Sequence, residues 1–245
     1  MCQDDECGVE GESPFDYESP FSEGSGGNSV ADELERLLRV NAKIAVENYK
    51  RYQAFHAEAT PELPALLAYT GIVFKRLNPK DFSAEDFGYA QEHLRLTSFC
   101  YGLLRPLDVI RAYRLEGDVV LPELGNQTLF SYWRSRLTDT FIEDIRSAGG
   151  ILCNLASDEM KSLFDWKRVE SEVRVITPEF HVWKNGKLAT IVVYTKMSRG
   201  EMTRFILKNK IGNPEELKGF SWEGFEFDES LSDERKLVFI NGMGE

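Results

Sequence analysis

Four cysteines and three histidines in 245 residues leave little material for a metal centre or a disulfide framework. Cys2 and Cys7 lie in an acidic first segment, and Cys100 and Cys153 lie inside apolar runs, where cysteine behaves as a small hydrophobe. His56, His93 and His181 share no metal-ligand spacing with one another or with the cysteines. No metal site, cofactor or disulfide scaffold is therefore expected, and a reducing compartment fits. Long apolar runs are also missing, and the first residues are acidic and polar, unlike a secretory leader. The expected address is the cytoplasm, with no membrane partner. A phosphate-binding Walker loop, a dinucleotide-binding glycine set, a nucleophile elbow and a zinc ligand pair are absent as well, so no motif establishes an enzyme.

Positive charge is scarce, and its distribution matters more than the net −12. Residues 1–30 hold eight acids (Asp4, Asp5, Glu6, Glu10, Glu12, Asp16, Glu18, Glu23) and no Lys or Arg; without them the balance is −4. Acids mixed with Gly, Ser and Pro, ending in SEGSGGN, cannot repay ordering entropy with a core, so residues 1–30 are expected to be a disordered tail and 31–245 one domain. Between Ile176 and Ile211, Lys184, Lys187, Lys196, Arg199, Arg204, Lys208 and Lys210 face only Glu179 and Glu201, a local balance of +5. A basic face on an acidic protein follows. The apolar fraction of 42% and charged fraction of 29% are those of a soluble globular chain.

The stretch TIVVYTKMSRGEMTRFILKNKI, Thr190 to Ile211, concentrates the candidate chemistry. Its β-branched and aromatic start predicts a strand over Thr190–Thr195. Lys196, Ser198, Arg199 and Gly200 then read as a turn, and Ser198 with Glu201 has the capping-box spacing that opens a helix. Two cations beside free backbone N–H groups, with a glycine permitting close approach, are what phosphate binding needs. The alternative is that Lys196 and Arg199 only solvate a sheet edge.

Elsewhere the pattern is mostly scaffold. Apolar spacing through Leu34, Leu37, Leu38, Ile44, Ala45, Tyr49, Tyr52 and Phe55 predicts one bent helix or two short ones, broken near Val40-Asn41-Ala42. Arg39 and Lys43 flank that break, where a helical hairpin could offer N–H groups to DNA phosphate, although its usual glycine is missing. Pro64–Tyr69 reads as strand, Ser83 and Asp86 as a second capping box, Leu129–Ile145 as a core helix, and Ile151–Leu155 as a buried strand leading into Asp158-Glu159. Arg174–Ile176 and Phe180–Trp183 are predicted strands, Asn185-Gly186 is a hairpin turn, and Lys236–Ile240 is a last strand.

In FCYGLLRPLDVIRAYRLEG, Phe99 to Gly117, Arg105, Arg111 and Arg114 are threaded among apolar residues with Asp108 and Glu116. Charges in such a segment must be paired or face a cleft. Three arginines against two acids leave one guanidinium for an external anion, or internal pairing disposes of all three. Asp158 is a further candidate proton carrier, though acids at a helix start more commonly serve the dipole.

Four blocks carry a resemblance: QEHLRLTSFCYGLLRPLDVIRAYRLEG (Gln91–Gly117), NLASDE (Asn154–Glu159), YTKMSRGEMTR (Tyr194–Arg204) and FSWEGFEFD (Phe220–Asp228). In order and spacing they resemble the YaaA family of bacterial peroxide stress proteins, over roughly Asp32 to Phe239. The resemblance implies an α+β fold, a single mixed curved β-sheet flanked by helices with a helix-hairpin-helix-like element near the N-terminus. It also implies binding to duplex and branched DNA, and protection against hydrogen peroxide that includes lowering free iron. Carried over by position, the hairpin falls near Arg39–Ala45 and the basic site on Lys196, Arg199 and Arg204. One departure stands out. The family begins with an apolar strand and a Ser-Pro-Ala-Lys-like or Cys-Ala-Lys-like motif, whereas MCQDDECGVEGE precedes SPFDYESPF here, so a sheet edge short of one strand is expected.

Three functions are weighed. The first is a DNA-binding peroxide-response protein using Arg39, Lys43, Lys196, Arg199 and Arg204 on duplex or four-way-junction phosphates. The second is an enzyme acting on a nucleobase or small anionic substrate, in a cleft of Arg105, Asp108, Arg111, Arg114, Glu116 and Asp158. The third is a protein-binding module using the aromatic and acidic stretch FSWEGFEFDES.

Overall fold

The computed structural model describes residues 30–121 and 124–242. The expectation of a disordered acidic tail therefore falls, apart from Val30, outside the described residues, as does the SPFDYESPF motif. The chain opens with α1 (Val30–Leu38) and α2 (Ala42–Gln53). Asn41 ends the turn between them by accepting a hydrogen bond from the Ile44 N–H at 3.0 Å, and Arg39 adopts φ 50°. A polar side chain thus caps α2 where a hairpin glycine would leave its N–H groups open. Two short helices stand where the apolar spacing placed them.

Next come β1 (Glu62–Pro64), α3 (Ala65–Ala68), α4 (Ile72–Leu77) and α5 (Ala84–His93). Pro64–Tyr69 is thus largely helical, because its apolar side chains Ala65 and Leu66 are buried on one side of a turn rather than alternating across a strand. The Ser83–Asp86 capping box forms in both directions, at 3.1 and 2.9 Å. Three short ladders follow: β2 (Leu96–Ser98) with β3 (Gly102–Leu104), β4 (Val109–Arg111) returning to β1, and β5 (Val120–Leu121) with β6 (Gln127–Thr128). The core helix α6 runs Leu129–Ser147 and buries Leu129, Tyr132, Trp133, Leu137, Phe141, Ile142 and Ile145, the helical stripe of the sequence.

The main sheet is mixed and five-stranded. It contains β7 (Ile151–Cys153); then, after α7 (Trp166–Glu172), β8 (Arg174–Lys184) and β9 (Lys187–Ala189); and, after α8 (Val192–Asn209), β10 (Phe225–Phe227) and β11 (Lys236–Asn241). β8 is central, parallel to β11 and β7, and β9 folds back on it through Asn185-Gly186, both at positive φ as a two-residue hairpin requires. Arg174–Ile176 and Phe180–Trp183 are one strand, since Pro178 does not interrupt the ladder. β7 and β10 are the two ends of the main strand order.

Side-chain alternation divides the sheet between two layers. Ile176, Phe180, Val182, Leu237 and Phe239 face a cluster that includes Met202 of α8, whereas Val175 joins the cluster of α6 with Leu152 packed against it. The sheet lies between α6 on one side and α8 on the other. Among the described residues no helix is long and apolar enough to cross a membrane.

Candidate anion site on helix α8

The strand, turn and capping box expected over Thr190–Glu201 are replaced by one helix. From Val192 onward the chain is α-helical, with Thr195 N–H bonded to the Ile191 carbonyl at 2.9 Å. Val192 and Val193 are 65% and 47% exposed, so the β-branched run is not a buried strand. The strong helix formers from Lys196 to Lys208 propagate the helix back through it. Ser198 lies mid-helix and wholly buried, and no free helix N-terminus stands beside Lys196 and Arg199. Gly200 also has another purpose than ligand approach. A Cβ there would meet the Val73 carbonyl oxygen at 2.3 Å and the Arg76 Cβ at 2.8 Å, so the glycine lets α8 cross α4 closely.

The helix sorts its cations into two groups. Arg204 is held by Asp81 through two 2.7 Å bonds, and Lys208 and Lys210 reach Asp86 at 2.8 and 3.1 Å. Lys208, the Ser83 N–H and Lys210 together hold the Asp86 carboxyl well below the ordinary carboxylate range. These charges are occupied by α5 and the turn before it. Lys196, by contrast, is exposed, and neither it nor the half-buried Arg199 has an ion-pair or side-chain hydrogen-bond partner among the described residues. Burial lowers the Arg199 pKa, partly offset by Asp158. Asp158 itself is paired with Lys161 at 2.8 Å, which holds its carboxyl below the usual range, with Arg199 contributing less.

The loop after β7 brings Asp158 to this face of α8. Asn154, 6% exposed, ends the strand; its N–H donates to the Ile176 carbonyl at 2.8 Å and its Oδ1 accepts from the Ala156 N–H at 3.3 Å. Its Nδ2 and the Ser198 Oγ are buried without a hydrogen-bond partner among the described residues. Asn154 was not singled out from the sequence as a site residue. The signal available was its place at the carboxyl end of a parallel strand, where open α/β sheets collect ligands.

The other candidates divide. Arg39 pairs with Asp118 at 2.6 Å, both groups substantially exposed, and Lys43 is exposed without an acid partner among the described residues. No hydrogen bond or ion pair among the described residues joins this hairpin to α8. The three arginines of Phe99–Gly117 are all paired: Arg105 with Asp144 at 3.7 Å, Arg111 with Glu62 at 2.8 Å and Arg114 with Glu116 at 2.9 Å. Asp108 accepts the Arg105 backbone N–H at 2.7 Å. Of the two readings of this segment the structure favours internal pairing, with Glu62 and Asp144 arriving from distant elements; Arg105 is held least, because Asp144 is already bonded by Arg95. Asp158 lies with Arg199 and apart from that cluster in the contacts it makes. Among the described residues no group of three or more His, Cys, Asp and Glu could hold a metal ion.

A mixed sheet between helical layers defines an α+β protein, and on one covering helix Lys196 and Arg199 take part in no ion pair among the described residues. The chain belongs to the family of the peroxide stress protein YaaA, whose family model matches residues 28–231. It is 99% identical over 214 residues to a UPF0246 protein of Bacteroides thetaiotaomicron, covering 87% of this chain and 83% of the relative. A UPF0246 protein of Bacteroides fragilis is 78% identical over the same length and shares, and one of Crocosphaera subtropica is 37% identical over 232 residues, 94% of this chain and 88% of the relative.

Proposed function

We propose that this chain serves the peroxide stress response of its family by binding DNA through phosphate contacts, on duplex or branched forms and with little sequence preference. The observation that carries this reading is that Lys196 and Arg199, one turn apart on α8, take part in no ion pair or side-chain hydrogen bond among the described residues, while Arg204 and Lys208 on the same helix and Lys210 just past its end are paired with Asp81 and Asp86. Unpaired cations are free to displace counterions from a polyanion; neutralised ones are not. Lys43 at the α1–α2 turn supplies a second contact, and Arg39 joins it, because an exposed ion pair such as Arg39–Asp118 exchanges partners at little cost. Coverage of DNA limits oxidative damage to it. A lowering of free iron is the further part of this reading and is supported by the family resemblance alone.

The test is titration of duplex and four-way-junction DNA against the full chain and a Lys196→Ala, Arg199→Ala double variant at two salt concentrations. The wild type is expected to lose affinity steeply with salt, and the double variant to show a log–log slope shallower by roughly 1.8. Equal affinity and slope for both proteins would remove α8 from the DNA contact.

A further inference from the structure

We propose that the β8–β9 hairpin is a docking site for single-stranded DNA, on which the Trp183 ring stacks an unpaired base while Lys184 and Lys187 hold the neighbouring phosphates. The choice of DNA rests on the reading above; the site itself lies on a different element and uses none of the α8 cations. Trp183 is 47% exposed, whereas every other Phe, Tyr and Trp among the described residues is buried or half-buried. Val182 packs into the cluster under α8, so alternation turns Trp183 to the opposite face of the sheet. There its ring has no aromatic or cation–π neighbour, and its indole N–H no acceptor, among the described residues. Leu188, directly across the ladder, is 37% exposed and faces the same way. One pair outward, Lys184 stands opposite Lys187 across the Asn185-Gly186 turn, both exposed and neither in an ion pair among the described residues.

The charges select the partner. Like charges directly opposite each other on paired strands cost stability, and from Val182 to Thr190 the hairpin carries no acid to relieve them. The one acid of β8, Glu179, lies about 13 Å back along the strand from Trp183 and is engaged by His181 at 3.2 Å. An anion is therefore what the lysine pair lacks, and a flat apolar surface is what the indole lacks. An unpaired nucleotide supplies both, since every base has a π face and its phosphates follow the backbone past the ring. In a duplex those faces are covered by neighbouring bases. The lysines also count against the other partners an exposed tryptophan attracts. Protein interfaces are depleted of lysine, and a lipid-seeking element buries an apolar face, whereas Lys184, Asn185, Gly186 and Lys187 stand outermost here.

The test titrates a single-stranded oligothymidylate, a blunt duplex and vesicles of anionic phospholipid against the full chain and three variants: Trp183→Ala, Trp183→Phe and a Lys184→Ala, Lys187→Ala double variant. Wild type is expected to bind the oligothymidylate with quenching of its tryptophan fluorescence. Trp183→Ala should weaken that binding roughly five- to a hundredfold, the range for losing one stacked base, and remove most of the quenching, while Trp183→Phe keeps the greater part of the affinity. The lysine double variant sheds an opposed like-charge pair, so it folds at least as well as wild type and keeps the test valid if a Trp183 variant misfolds. Its salt slope on the oligothymidylate should be shallower by about 1.4, at roughly 0.7 per phosphate. Blunt-duplex affinity should be the same in Trp183→Ala as in wild type. No oligothymidylate binding by wild type, or equal affinity in folded Trp183→Ala, overturns the site. Trp183-dependent binding of the vesicles without binding of the oligothymidylate overturns it too, in favour of a membrane surface. If the Lys196→Ala, Arg199→Ala variant binds duplex as wild type does while Trp183→Ala still loses the oligothymidylate, the α8 reading fails and the hairpin site stands.

Discussion

The α-carbon of Gly200 faces the carbonyl oxygen of Val73 so closely that an added Cβ would stand 2.3 Å from it. The two residues belong to different helices, and their approach sets how deeply α8 seats against α4, and hence where Arg199 and Ser198 stand relative to the loop after β7.

Gly200→Ala is therefore expected to destabilise the protein. In an unobstructed helix interior the change would gain about 1 kcal/mol from helix propensity. Here the clash is with backbone, which cannot rotate away, and overpacking of this kind costs typically 1–3 kcal/mol or more. Thermal melting should show a midpoint lowered by several degrees, at about 2–4 °C per kcal/mol for a chain of this size. A raised midpoint would mean that α4 and α8 part freely.

Acid should loosen the seam between α5 and α8. Asp86 accepts from Lys208, Lys210 and the Ser83 N–H, which depress its pKa below the ordinary 3.8. A carboxyl with a depressed folded-state pKa contributes its stability in full above the unfolded value and loses it as pH falls toward the folded one. Denaturant unfolding should show stability declining as pH drops below about 4. Asp86→Asn should be less stable than wild type at pH 7, with the difference shrinking in acid; a constant difference would refute the ionic role of Asp86.

Glu201 has the opposite sign. Burial raises its carboxyl pKa, opposed by Arg76 at 3.7 Å and by Arg204. Its ionised form is a cost to the fold above the raised pKa, and that cost disappears once the group is protonated in both states. Glu201→Gln is expected to be neutral or stabilising at pH 7, and any gain should vanish below pH 4. A destabilised Gln variant in the same unfolding assay would show that the pair with Arg76 outweighs desolvation.

Among the α8 cations, Arg204 should behave unlike Lys196. Arg204→Ala breaks a two-bond pair with Asp81 and also removes bonds to the Leu77 and Asn78 carbonyls, so its melting midpoint should fall. Its DNA salt slope should stay that of wild type, whereas Lys196→Ala should leave the midpoint unchanged and make the slope shallower by about 0.9. A slope lost on Arg204→Ala would place that side chain on DNA despite Asp81.

What the sequence alone determined is local. The break between α1 and α2, the Ser83–Asp86 capping box, the buried stripe of α6 and the Asn185-Gly186 hairpin all rest on bonds within a few residues or on a strict side-chain period, and each formed as read. The family, too, was legible from four blocks of residues. The tertiary structure decided the rest. Whether Thr190–Thr195 is strand or helix turned on packing, because a β-branched run satisfies either until α4 and the sheet offer a surface, and Gly200 is the residue that lets the helix take it. Which arginines are free turned on acids distant in sequence: Asp81 lies 123 positions from Arg204, Glu62 lies 49 from Arg111, and no local count could assign them. Asp158 is the exception, since the cation bonded to it, Lys161, lies only three residues on in the same turn.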